Sequence, residues 1–118
     1  MHELALSESI LRAALAAAGE QRACVRALTV KVGALSGASV PSLEFCMGLV
    51  LEQRGMSSVQ VHIEEAPARM RCRCGQNYSP QDLFAGCPQC GGFDRQVLDG
   101  LDVTLESIEV DHGQDQAQ

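Results

Sequence analysis

Cys72-Arg73-Cys74 and Cys87-Pro88-Gln89-Cys90 place four thiols within nineteen residues. Two close pairs joined by a short loop can close a tetrahedral S4 cage around Zn2+, a d10 ion that accepts four thiolates. After the second pair, Gly91 and Gly92 free the backbone for a tight turn that aims both sulfurs at one point. The first pair is one residue shorter than the usual Cys-x2-Cys. The competing reading is two disulfides or four free thiols. The opening MHELALSESILRAALAAAGE is interrupted by Glu3, Glu8 and Arg12 and has no basic start, so it does not read as a signal peptide. Six cysteines without a secretory signal point to the reducing cytosol, where paired cysteines usually mean metal. Cys72, Cys74, Cys87 and Cys90 are therefore expected to hold one structural zinc, and the protein is expected to be cytoplasmic.

Met1-His2-Glu3 is the second constellation. A free N-terminal amine, the His2 amide nitrogen and the His2 imidazole can chelate one metal through fused rings. The Glu3 amide or carboxylate can supply a fourth donor. Nitrogen and oxygen donors in a plane suit Ni2+ or Cu2+, and affinity should rise with pH because the donors must lose protons. Taken alone, a histidine at position 2 is also a common accident of the terminus.

The other candidates read as structural. Cys24 and Cys46 read as small buried hydrophobes. His62 falls on the polar parity of a strand, and His112 sits in an acidic tail. Glu64 and Glu65 are adjacent on a strand and point to opposite faces, so they cannot converge on one substrate. Leu35-Ser36-Gly37 is no nucleophile elbow, and no phosphate-cradling Gly-Lys-Ser/Thr loop is present. No enzyme activity is expected.

These residues need elements to position them. Residues 4–18 predict a helix, with Leu4, Leu11, Ala14, Leu15 and Ala18 on one face and Gly19 as its stop. Residues 26–33 alternate as a half-buried strand. A Gly/Ser-rich connection leads to Pro41 in the first turn of a second helix. That helix carries Leu43, Met47 and Val50 and ends at Gly55. Residues 59–65 alternate again, predicting a parallel pair through one crossover. After the cysteine segment, Leu101, Val103 and Leu105 share one parity, while Ile108 and Val110 have the other. A bulge near 106–107 would keep all five on one face.

The fold class predicted is α+β: two helices on a three-stranded mixed sheet, with a zinc-ribbon-like lobe inserted. The expected boundaries are 1–66 plus 99–110 for the α+β part, 67–98 for the lobe, and 111–118 for a disordered tail. The chain has 118 residues, a formal charge of −6 and 3% aromatics. That balance disfavours a zinc ribbon that binds nucleic acid, which needs cations for phosphates and aromatics for stacking. No apolar run is long enough to span a membrane. Arg69, Arg71 and Arg73 form a basic cluster that reads as a solvated strand face or as a docking patch.

MHELALSESI at the start, KVGALSG at 31–37 and a four-cysteine segment ending in CPQCGG together resemble the HypA/HybF family of nickel metallochaperones. The resemblance spans roughly residues 1–110. It implies a nickel site at Met1, His2 and Glu3, with Ni2+ as transient cargo. It also implies a structural zinc site at Cys72, Cys74, Cys87 and Cys90, and a two-lobed α+β fold. The implied function is nickel delivery during maturation of [NiFe]-hydrogenase. The implied partners are a nickel-handling GTPase and the hydrogenase large subunit. The family pattern has two residues between the first two cysteines, and this chain has one.

Overall fold

The computed structural model describes residues 2–111. Met1, His112 and the rest of the expected tail lie outside the described residues.

Helix α1 runs His2–Ala18, and Glu3, Ser7, Ile10, Leu11 and Ala14 are its buried stripe. Leu4 was expected on that face but is 45% exposed. The stripe is centred on positions 3, 7, 10 and 14, so Leu4 lies at its edge, where no element covers it. The polar Glu3 and Ser7 occupy the inward positions of the first two turns. Helix α2 runs Val40–Gln53 and buries Leu43, Met47, Val50 and Leu51. Ser39 is its N-cap and accepts the Ser42 N–H at 3.3 Å, with Pro41 in the first turn. This cap satisfies one of the donors that a helix start leaves without a partner.

The first sheet has the order β2-β1-β6. Strand β1 (Val25–Gly33) is central; β2 (Gln60–Ala66) pairs with it in parallel and β6 (Val103–Val110) antiparallel. Leu28, Val30 and Val32 are buried against both helices, as their alternation predicts. The pairing jumps from Thr29↔Ser107 to Val30↔Leu105, so Glu106 is the extra residue of a bulge. This is the parity switch legible in the sequence. It brings Val103, Leu105 and Ile108 onto the core, while Leu101 and Val110 are half-buried outside it, so three of the five expected residues join.

Between β2 and β6 the chain builds a second, antiparallel sheet in the order β4-β3-β5. Its strands are β3 (Arg69–Cys72), β4 (Asn77–Tyr78) and β5 (Arg95–Asp99). Met70 is fully buried there, with Ala68, Cys72 and Cys87. The two sheets meet backbone to backbone. The Leu35 N–H donates to Gly100 O at 2.9 Å across the junction, while the Gly33 N–H to Asp102 O and the Ala34 N–H to Ala66 O, both at 2.8 Å, extend the first sheet's own ladders up to it. A Cβ on Gly33 would overlap the Gly100 carbonyl, and one on Gly100 would overlap Ala68 Cα. Lys31 Nζ closes the junction on Asp99 Oδ2 at 3.0 Å. That ion pair holds the Asp99 carboxyl below its ordinary range and raises the Lys31 ammonium.

Candidate metal centre

Strand β3 ends at Cys72 and turns at once into Cys74. The second pair lies on the turn at 87–90. Despite their separation in sequence, the four Sγ atoms all lie within 4.8 Å of one another. Cys72 and Cys90 are 3.5 Å apart, and Cys74 and Cys87 are 3.8 Å apart. A tetrahedron of sulfurs at a Zn–S distance of about 2.3 Å has an edge of about 3.8 Å. The cluster therefore fits one tetrahedral thiolate-bound ion. Cys72 and Cys87 are buried and Cys74 and Cys90 exposed, so the cage has a dry side and a wet side.

Two backbone knuckles build it, and they share one design. In the second, the Gly91 N–H donates to Cys87 O at 2.7 Å, and the Cys87 N–H to Gly92 O at 3.0 Å. In the first, the Gly75 N–H donates to Cys72 O at 2.8 Å, and the Cys72 N–H to Gln76 O at 2.8 Å. Both bonds in the first knuckle span one residue fewer. Each knuckle closes on a glycine at positive φ, 97° at Gly75 and 75° at Gly91, where a side chain would be strained. The missing residue of Cys72-x-Cys74 is thus absorbed by tightening the turn, and Cys72 keeps its place in the set. Backbone N–H groups also point at sulfur: Gln89 N–H at Cys87 Sγ (3.3 Å) and Gly92 N–H at Cys90 Sγ (3.4 Å).

The thiols differ in acidity. The Cys74 N–H draws the Cys72 thiol down, but burial and the thiols of Cys90, Cys74 and Cys87 outweigh it and push it up to about 12. At Cys87, burial acts upward, but the N–H groups of Cys90 and Gln89 bring the thiol down to about 7. Crowded sulfurs cannot all ionise side by side, because each thiolate opposes the next. A divalent cation reverses that, since a coordinating thiol is deprotonated outright.

Sequence reasoning passed over Arg95. Its guanidinium donates to Ala85 O at 2.7 Å, Leu83 O at 2.8 Å and Tyr78 Oη at 3.3 Å, and it lies 5.6 Å from the Phe93 ring centre. It pins the loop that leads into the second knuckle. Nothing in its sequence neighbourhood signals this role. Of the basic cluster, Arg71 bonds Asn77 Oδ1 at 3.0 Å and Arg73 pairs with Asp94 at 3.1 Å, all exposed. Cys24 and Cys46 are half-buried, and His62 is exposed.

Outside the cysteine cluster, His2 opens α1 with its side chain 64% exposed, 3.9 Å from Glu3 Oε2. Glu3 is buried, and its Oε2 accepts the Ser39 N–H at 3.0 Å. Its backbone carbonyl accepts the Ser7 hydroxyl at 2.7 Å. The Ser39 amide, as the leading cause, holds the Glu3 carboxyl down at about 2. A carboxylate at this position normally comes from the capped helix itself, in a capping box. Here α1 supplies it to the start of α2, which fixes the first turn of α1 in place.

A sequence model of the family described as hydrogenase/urease nickel incorporation, metallochaperone, hypA matches residues 1–110. The hydrogenase maturation factor HypA of Picosynechococcus sp. is 35% identical over 112 residues, covering 93% of this chain and 99% of its own length. That of Geobacter metallireducens is 30% identical over 112 residues, covering 94% and 100%. The solution structure of the Ni metallochaperone HypA from Helicobacter pylori has the same fold. Its TM-score is 0.70 at 18% identity, over 93% of this chain and 97% of that one.

Proposed function

The chain belongs to the HypA family, and on that premise we propose how its two candidate sites divide the work of a nickel metallochaperone in hydrogenase maturation. Ni2+ is the cargo and is held at the N-terminus by the Met1 amine, the His2 amide and imidazole, and the Glu3 amide or carboxylate. Zn2+ is resident in the four-cysteine cage and holds the second sheet together. The division into residues 1–66 plus 99–110 and an inserted lobe, 67–98, follows these two roles. The expected setting is the cytoplasm, where the reduced thiols persist. Among the described residues, no helix is long and apolar enough to cross a membrane.

The observation that carries the nickel reading is the state of the first helical turn. The opening N–H groups of a helix have no intrahelical partner. Deprotonating the His2 and Glu3 amides for a metal therefore leaves the backbone ladder of α1 intact. The His2 imidazole is exposed, while the Glu3 carboxylate is already engaged with Ser39. The Glu3 side chain thus serves as the anchor behind the site. Donors on consecutive residues can be surrendered one at a time to an acceptor, which suits cargo. Four thiolates gathered from two distant knuckles cannot, which suits a structural ion. The proposed recipients and helpers are the hydrogenase large subunit and a nickel-handling GTPase, with the His2 end of α1 and the Arg69/Arg71/Arg73 face as contact candidates.

Metal analysis of untagged protein tests this, with zinc and nickel measured separately in wild type and His2→Ala. The variant is expected to lose nickel and keep about one zinc per chain. Nickel retained by His2→Ala but lost by Cys74→Ala would move the cargo site to the cysteine cage.

A further inference from the structure

We infer that the groove between α2 and the open edge of β2 receives an extended segment of a partner protein as an added strand, apolar on one face and cationic on the other. This goes beyond metal handling and holds wherever nickel sits.

Strand β2 is hydrogen-bonded to β1 on one side only. Its register with β1 runs unbroken from Ala27↔Gln60 to Gly33↔Ala66, whereas the β1–β6 and β3–β5 pairings are both interrupted. A regular edge of this kind presents a row of N–H and C=O groups ready to pair with another chain. Beside it lies a groove of about 600 Å3, floored by Val59 and Val61 and walled by Phe45 and Leu49 of α2. Phe45 is 68% exposed.

Gly48 lies in the same wall, inside a helix, where alanine would be the better residue. A Cβ on Gly48 would meet no atom within 4 Å. Among the described residues no contact calls for glycine there, and its absent side chain deepens the groove. Glycine in such a place lets another backbone approach closely.

Charge selects the occupant. Among the described residues, Glu44 and Glu52 are the charged residues lining the groove, and Glu64 stands exposed on the outer face of β2. Val61 and Ile63 pack toward the core, while Gln60, His62 and Glu64 are exposed. An added strand must follow the same alternation. Its apolar residues fall beneath Phe45 and Leu49, and its Lys or Arg residues fall beside Glu64. A second copy pairing edge to edge is distinguished by its dependence on protein concentration.

The probe is an end-blocked peptide of eight alternating valines and lysines, added to the zinc-loaded full chain without nickel. Amide exchange at residues 60–65 should slow on binding. Phe45→Ser should weaken binding by at least about tenfold. Gly48→Ala should also weaken it while raising the unfolding midpoint, a split that mere damage to the fold would not produce. Replacing the peptide's lysines with glutamates should abolish binding. Failure of the lysine peptide to bind, protection on β6 instead of β2, or equal binding of the glutamate peptide would each overturn the proposal. So would protection of residues 60–65 that grows with protein concentration alone, because the groove would then belong to a second copy. Nickel is absent throughout, so failure here leaves the nickel reading untouched.

Discussion

Gly100→Ala tests whether the two segments that connect the sheets, at Pro67–Ala68 and at Gly100, are locked backbone to backbone. Gly100 has φ 97°, and a Cβ there would run into the Ala68 Cα and N and the Pro67 carbonyl. These are backbone atoms that cannot swing aside. Two costs add. A non-glycine residue in the left-handed region loses about 1–2 kcal/mol, and forcing atoms into filled space costs a further ~1–3 kcal/mol. Gly37→Ala is the matched reference: φ is 84°, but its Cβ would meet nothing within 4 Å, so only the first cost applies. The difference between the variants is then about 1–3 kcal/mol. At roughly 4–8 °C per kcal/mol for a domain near this size, Gly100→Ala should melt on the order of 5–20 °C below Gly37→Ala. Thermal unfolding followed by far-ultraviolet circular dichroism, on zinc-loaded samples of equal zinc content, measures this. Equal midpoints would refute the reasoning, because the contact between Gly100 and Ala68 would then bear no load.

Glu3→Gln should change the acid response. The folded carboxyl titrates at about 2 against an ordinary value of 4.5, so its contribution is present above about 4.5 and is lost as pH falls toward 2. The gap in urea midpoint between wild type and variant should be widest above pH 5 and close toward pH 2; a constant gap would remove the carboxylate from its capping role. Inserting one serine between Arg73 and Cys74 should keep zinc at about one per chain, because the first knuckle then has the spacing of the second. Gly75→Val should weaken zinc by at least about tenfold in chelator competition, since its backbone sits at positive φ. Removing zinc should leave the helical signal largely intact, because the main core draws on no residue of the second sheet; loss of that signal with the metal would mean a single cooperative core.

Periodicity made the first sheet and both helices legible, because each buries one face of a repeating pattern against the other. Even the Glu106 bulge could be read, since a parity switch inside one strand has few other solutions. The pattern failed at Leu4, where the inward positions of the first turns belong to Glu3 and Ser7. A polar residue with a long-range partner gives no hydrophobic signal, and Ser39 lies 36 residues away from Glu3. The second sheet was visible only through its cysteines. Its strands run from two to five residues, too short for alternation to register. The pairing of Gly33 with Gly100 and the reach of Arg95 are equally invisible, because both depend on where distant segments meet.

The two candidate metal sites differ in how their donors are connected, and that difference bears on what each can do. The cysteine cage joins the end of β3 to a turn thirteen residues beyond Cys74, so its ligands cohere only while the second sheet is folded. An ion bound there would leave only as that sheet unfolds, and a metal held at that cost would not exchange readily. The proposed nickel donors are neighbours on the chain and need no folded core to come together. What they need is a fixed base, and the buried Glu3 carboxylate on Ser39 provides one. A donor set anchored at one end and open at the other can meet an acceptor in a defined orientation and still release its metal stepwise. The proposed assignment, cargo at the start of α1 and zinc in the inserted sheet, would therefore separate exchange from structure within one short chain.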